Sequence, residues 1–280
     1  MKKQNKKTWK LALIVVNLIA ILLWTLLYYF TWDVVIITVT TFPFADWFAG
    51  ISIARIIIIV AMSSFLYHRW FKQEEIYLFD AFFLFASFFL ILGHGKIYDF
   101  IYAIFYGTGT FSPEFTLFLV KMRYVLVVLM ALTILFIGTD ASIILYELRR
   151  DKELTKEGRI KAKKWIIGIY IATSGLFIAL SPTSEMLSAV LPYLMIFIYL
   201  ICAIMFFFMY RNKRLSKVHG FIVGIGFLIF VATNLIRSIL TARAYQDYNA
   251  IWLFWSQVFD MISNIVIFLG FLVKPSFAKK

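Results

Sequence analysis

Seven ionisable residues lie inside long apolar blocks: Arg55, Asp80, Lys121, Arg123, Asp140, Arg237 and Asp260. In hydrocarbon such a residue costs roughly 2.5–3.5 kcal/mol near the centre of a span, so it needs a partner or a task. Asn234, Arg237, Ser238 and Thr241 recur at i, i+3, i+4 and i+7, and Ser256, Asp260, Ser263 and Asn264 at i, i+4, i+7 and i+8. Each set is a polar stripe on an otherwise apolar helix, which should turn from lipid toward a neighbour or a cavity. A short turn around Tyr245–Asn249 makes the two helices antiparallel neighbours and brings Arg237 and Asp260 to similar depth. The expected result is an Arg237–Asp260 ion pair, or Asp260 shared with Arg55.

A second stripe places Asp80, Ser87 and His94 at intervals of seven, and Thr133 and Asp140 repeat that interval. Sorting by depth puts Asp80 and Asp140 near the inner face. Arg55, Lys121, Arg123 and Arg237 fall in the outer half against Asp260, with Asp99 and Glu114 able to offset part of the charge. An outward-half cationic pocket lined by Arg55, Arg237, Asp260, Asn234, Ser256 and Asn264 would suit an anionic small ligand, a carboxylate, a phosphate or a lipid headgroup. For Lys121 and Arg123 the expectation is snorkelling to lipid phosphates.

The elements that must position these residues follow from composition. Of 280 residues 62% are hydrophobic and 15% charged, against about 45–50% and about 25% in soluble domains. The mean hydropathy is +0.87. A crossing needs roughly 20 mostly apolar residues. Eight blocks qualify, at about 11–30, 47–67, 76–93, 115–146, 165–180, 187–210, 220–241 and 250–273. The fold expected is a single integral domain, an all-α bundle of eight transmembrane helices in the cell membrane.

Lys and Arg concentrate in Met1–Lys10, in alternate connections (Arg69 and Lys72; Arg149–Lys164; Arg211–Lys217) and in the C-terminal tail. The first–second and fifth–sixth connections contain neither. Since basic residues mark the cytoplasmic side, both termini are expected there. The net charge of +13 then meets anionic membrane lipids and calls for no nucleic acid. The basic start resembles a signal sequence, but bulky Trp24, Tyr28, Tyr29 and Phe30 replace a small-residue cleavage site, so the first helix should stay.

Three connections stand out. Glu147–Lys164 reads as a helical extension plus a short hairpin and is the one loop large enough to dock a cytoplasmic partner. Lys96–Pro113, with its aromatic run Ile97–Tyr106, reads as a separate helix at the outer interface, an anchor or a lid. Val34–Thr41, before Pro43, reads as an outer extension or a re-entrant piece.

Much chemistry is missing. The lone Cys202 allows no intramolecular disulfide, and no HExxH, CxxC or carboxylate–His cluster suggests a metal. No Walker pattern, no Gly-x-Ser-x-Gly and no deep retinal-type lysine is present, so no cofactor is expected. The leading reading is a non-enzymatic sensing or ligand-binding module. The alternatives are a small-anion or proton-coupled transporter, with Asp260 or Asp140 carrying the proton, and a lipid-modifying enzyme.

Overall fold

The computed structural model describes residues 5–78, 80–108, 112–150, 154–213, 215 and 217–278. These residues form helices joined by short connections, and none of them is in a strand. The helices are α1 (Lys6–Thr41), α2 (Ala45–Phe71), α3 (Ala81–Thr108), α4 (Pro113–Arg150), α5 (Lys156–Leu180), α6 (Ser184–Arg211), α7 (Gly220–Gln246) and α8 (Ile251–Leu272). Judged on the described residues, seven of them are long and apolar enough to cross a bilayer. In α6 the corresponding apolar stretch is the shorter Met195–Arg211. The chain is therefore a multi-pass helical membrane protein.

Side-chain caps mark several of the helix starts. Asn5 Oδ1 accepts from Lys7 N at the start of α1, and Thr155 Oγ1 from Gly158 N at the start of α5. Asn249 Oδ1 accepts from Ile251 N at the start of α8. Such caps satisfy amides that lack an intrahelical acceptor. Asp80 Oδ1 accepts from Phe82 N at 2.8 Å, so α3 starts at Ala81 rather than at Ile76 as the apolar run suggested.

Two connections need comment. Of the two readings of Val34–Thr41, the extension holds and the re-entrant piece does not: the segment is the end of α1. The hydroxyls of Thr31, Thr38, Thr40 and Thr41 donate to carbonyls one turn back, so β-branched polar residues stay helical whether buried, as Thr31 and Thr38 are, or exposed. Lys96 does not start a new interfacial helix; α3 runs through it to Thr108. Lys96 Nζ meets Asp99 Oδ2 at i+3, 2.6 Å away, so the charge breaks no helix. The side chains of residues 101–108, on which a lid or anchor would rest, lie outside the described residues.

The chain divides into two compact units. The first comprises Met1–Met130 and Ile239–Gln257, the second Ala131–Ser238 and Val258–Lys280. In the first unit α2 and α3 pack closely. Ile59, Leu66, Phe85, Phe88 and Phe89 are fully buried, and Ser63 Oγ donates to Ala86 O at 2.8 Å. Trp24 Nε1 of α1 donates to His94 Nδ1 of α3 at 3.0 Å. In the second unit Tyr199 of α6 stacks on Phe227 and meets Phe230 edge-on.

Antiparallel contact between α7 and α8 in the second unit depends on glycine. A Cβ at Gly226 would lie 2.6 Å from Ile267 Cγ1 and 2.7 Å from its backbone nitrogen. His219 N donates to Gly270 O at 2.7 Å. Small residues let backbones approach where water gives no driving force.

Candidate functional site

The α7–α8 register in the second unit carries Arg237 and Asp260 to the same level. Arg237 Nη1 donates to Asp260 Oδ2 at 3.1 Å, so the expected ion pair forms. Asp260 is buried, with 1% of its side chain accessible, while Arg237 keeps 23%. A guanidinium carries five N–H donors in a planar fork. Among the described residues Arg237 makes this one hydrogen bond. Asp260 thus holds one nitrogen of a fork whose side chain stays partly accessible.

Asn264 lies one turn beyond Asp260 on α8 and is fully buried. Neither its Oδ1 nor its Nδ2 has a hydrogen-bond partner. A buried amide atom left in this way costs about 1–3 kcal/mol, so it suits a polar group that enters between the helices. Asn234 lies one turn before Arg237 on α7. In an antiparallel pair both amides therefore fall on one side of the ion pair. Asn234 Nδ2 donates to Phe230 O at 2.7 Å, which leaves its Oδ1 as an acceptor. Across from Phe230, Tyr199 carries a buried hydroxyl without a hydrogen-bond partner.

The two stripes behave differently. On α8, Ser256, Asp260, Ser263 and Asn264 are all buried, as the pattern required. On α7, Ser238 is exposed and Asn234 and Thr241 are only half-buried. The inward turn expected of the whole stripe is thus corrected. Ser238 Oγ reaches Asn234 O at 3.4 Å, and a hydroxyl that donates to its own helix can face lipid.

In the first unit Arg55 is fully buried and Nη1 donates to Gln257 Oε1. Gln257 was missed at the sequence level, although an uncharged amide three residues before Asp260 in an apolar helix is itself a signal. Arg123 Nε donates to Asp99 Oδ1 at 2.5 Å, which corrects the expectation that Arg123 snorkels. A carboxylate in reach is a better acceptor than a distant phosphate, and Asp99 serves both Arg123 and Lys96.

The Asp80–Ser87–His94 stripe is divided among three tasks. Asp80 caps α3, Ser87 Oγ bonds Tyr67 Oη at 2.9 Å, and His94 binds α1. Trp24 donates to Nδ1 of His94, so its Nε2 carries the proton and donates to Asn17 Oδ1 at 3.2 Å. Asp140 in the second unit pairs with Lys163 of α5 and is half-exposed, so it belongs to the polar end of α4. Among the described residues no cluster of His, Cys, Asp and Glu could hold a metal. No family model matches the chain, and no curated protein or solved structure is similar to it.

Proposed function

We propose that this multi-pass membrane protein is a non-enzymatic binding module that senses an anionic small ligand through Arg237. The observation that carries this is the geometry of one guanidinium, which Asp260 holds by a single nitrogen while its side chain remains partly accessible. A carboxylate or phosphate oxygen pair matches that planar edge, and such charge-assisted bonds are roughly twice as strong as neutral ones. Asn264, Asn234 and the Tyr199 hydroxyl would take the ligand's remaining polar atoms. Sensing follows from competition, because an anion on Arg237 weakens its hold on Asp260 and so loosens α7 from α8 in the second unit.

In this reading the chain crosses the cell membrane eight times with both termini in the cytoplasm, and the Arg237 site opens in the outer half. The test is a thermal-shift screen of small carboxylates and phosphates on the detergent-purified protein. At least one should raise the melting temperature, and Arg237→Ala should abolish the rise. A screen in which none shifts, or in which Arg237→Ala binds as well as the parent, overturns the reading. Flux of a labelled anion into proteoliposomes that Asp260→Asn stops would replace it with transport.

A further inference from the structure

The sequence marks Glu147–Lys164 as a docking surface, but its cations are not equivalent. Arg159 Nε donates to Glu147 Oε1 at 2.7 Å, and Lys163 pairs with Asp140. Both of these cations are turned onto α4 within the second unit and neutralised there. Lys161 and Lys164 are exposed, and among the described residues neither forms an ion pair. They share one face of α5 with Glu157, at i, i+4 and i+7. Ile160 and Trp165 flank them, and together these five residues line a shallow groove. Trp165 is 64% exposed. Beyond it the exposed side of α5 continues as Ile169, Leu176 and Leu180.

We infer that this groove binds the headgroup of an anionic phospholipid in the leaflet at the N-terminal end of α5. Two unneutralised ammonium groups, an indole at the polar–apolar boundary and an open apolar strip below it match the charge and layering of one lipid. Tryptophan favours headgroup depth because its ring is apolar and its N–H polar. Glu157 stands one turn, about 6 Å, further from the hydrocarbon than Lys161, so it weakens the attraction without blocking it. This site lies apart from Arg237 and does not depend on the reading given to it.

The probe is bromine quenching of Trp165 in nanodiscs. Quenching is read as the difference between the parent and Trp165→Phe, with brominated phosphatidylglycerol or brominated phosphatidylcholine at equal mole fraction in a phosphatidylcholine background. Each lysine near an anionic surface favours binding about fivefold. We therefore expect the anionic lipid to quench Trp165 at an apparent concentration about fivefold or more below that of the zwitterionic one. Lys161→Gln/Lys164→Gln should bring the two lipids to parity with unchanged melting, and Glu157→Gln should widen the difference. Equal quenching in the parent, or a preference that survives loss of both lysines, overturns the proposal. Absence of quenching by either lipid also overturns it, because the groove would then be covered by protein, a second copy or a soluble partner.

Discussion

Arg237 meets Asp260 through one nitrogen at 3.1 Å, and the acid is far more deeply buried than the base. That asymmetry makes the two ends of the pair unequal. Removing the guanidinium takes a charged donor from a deeply buried carboxylate, whereas removing the carboxylate's charge leaves an arginine that can still turn toward its accessible side. Arg237→Ala is therefore expected to lower stability more than Asp260→Asn. Polar pairs between membrane helices typically contribute about 0.6 kcal/mol and at most near 1.7. A double-mutant cycle on the two, read from unfolding in mixed micelles, should give a coupling of about 1 kcal/mol. No coupling would mean that the contact is incidental.

How much of this was legible beforehand depended on whether a side chain could satisfy itself. The α8 stripe was readable because Asp260 and Asn264 have no means of bonding their own helix fully, so hydrocarbon forces them inward. Ser238 has such a means, and its place in the α7 stripe said little about its direction. Lys96 looked like the start of a new element, yet Asp99 at i+3 let α3 continue through it. Gln257 carries no charge to mark it among apolar neighbours, yet its amide serves the buried Arg55. Asn17 and Trp24 could not be assigned to His94 at all. Their contact joins residues some seventy positions apart, and periodicity within one helix carries nothing about which face of another it meets.

That contact gives a second prediction. Trp24, His94 and Asn17 form a chain in which each group has one role, and Asn17 Nδ2 ends it on Leu13 O at 2.7 Å. His94→Phe keeps an aromatic ring but removes both the acceptor for Trp24 and the donor for Asn17. The three side chains are half-buried, so the expected loss is about 1 kcal/mol, the low end of the cost of a buried polar group left unpaired. Pairing it with Trp24→Phe and Asn17→Leu should recover part of that loss, since apolar replacement of both ends leaves nothing unpaired. A cysteine crosslinking rate between α1 and α3, measured for each variant, would show whether the loss is local. Equal rates in all variants would contradict the assignment.

The glycines divide into two classes that stability measurements should separate. At Gly226 an added methyl meets the backbone of Ile267 and can be accommodated only by moving α8. Gly226→Ala should cost about 1–3 kcal/mol through overpacking. At Gly168 on α5 nothing lies within 4 Å of the added methyl. Gly168→Ala should be neutral or raise stability by up to about 1 kcal/mol through helix propensity. Melting of the two variants side by side in the same detergent is the measurement. A loss at Gly168 equal to that at Gly226 would mean that the exposed face of α5 is packed against another protein surface.

The proposed topology has the strictest consequence. With eight crossings, residues at the starts of α5 and α7 face the same compartment as both termini, and Ser181 at the end of α5 faces the other. The native cysteine, Cys202, is buried against α4, with Sγ 3.9 Å from Ile134 O, so it should label poorly and need not be replaced. Single cysteines introduced at Lys161, Lys217 and Pro182, the exposed neighbour of Ser181, can then be challenged with a membrane-impermeant maleimide on intact cells. Only the Pro182→Cys protein should react before lysis, and all three after it. Reaction of Lys161→Cys on intact cells would invert the orientation and place the α5 lipid groove in the outer leaflet. Reaction of Lys217→Cys but not Lys161→Cys would change the number of crossings between α5 and α7, and α6, whose described apolar stretch is the shortest, is the helix that would have to be reassigned.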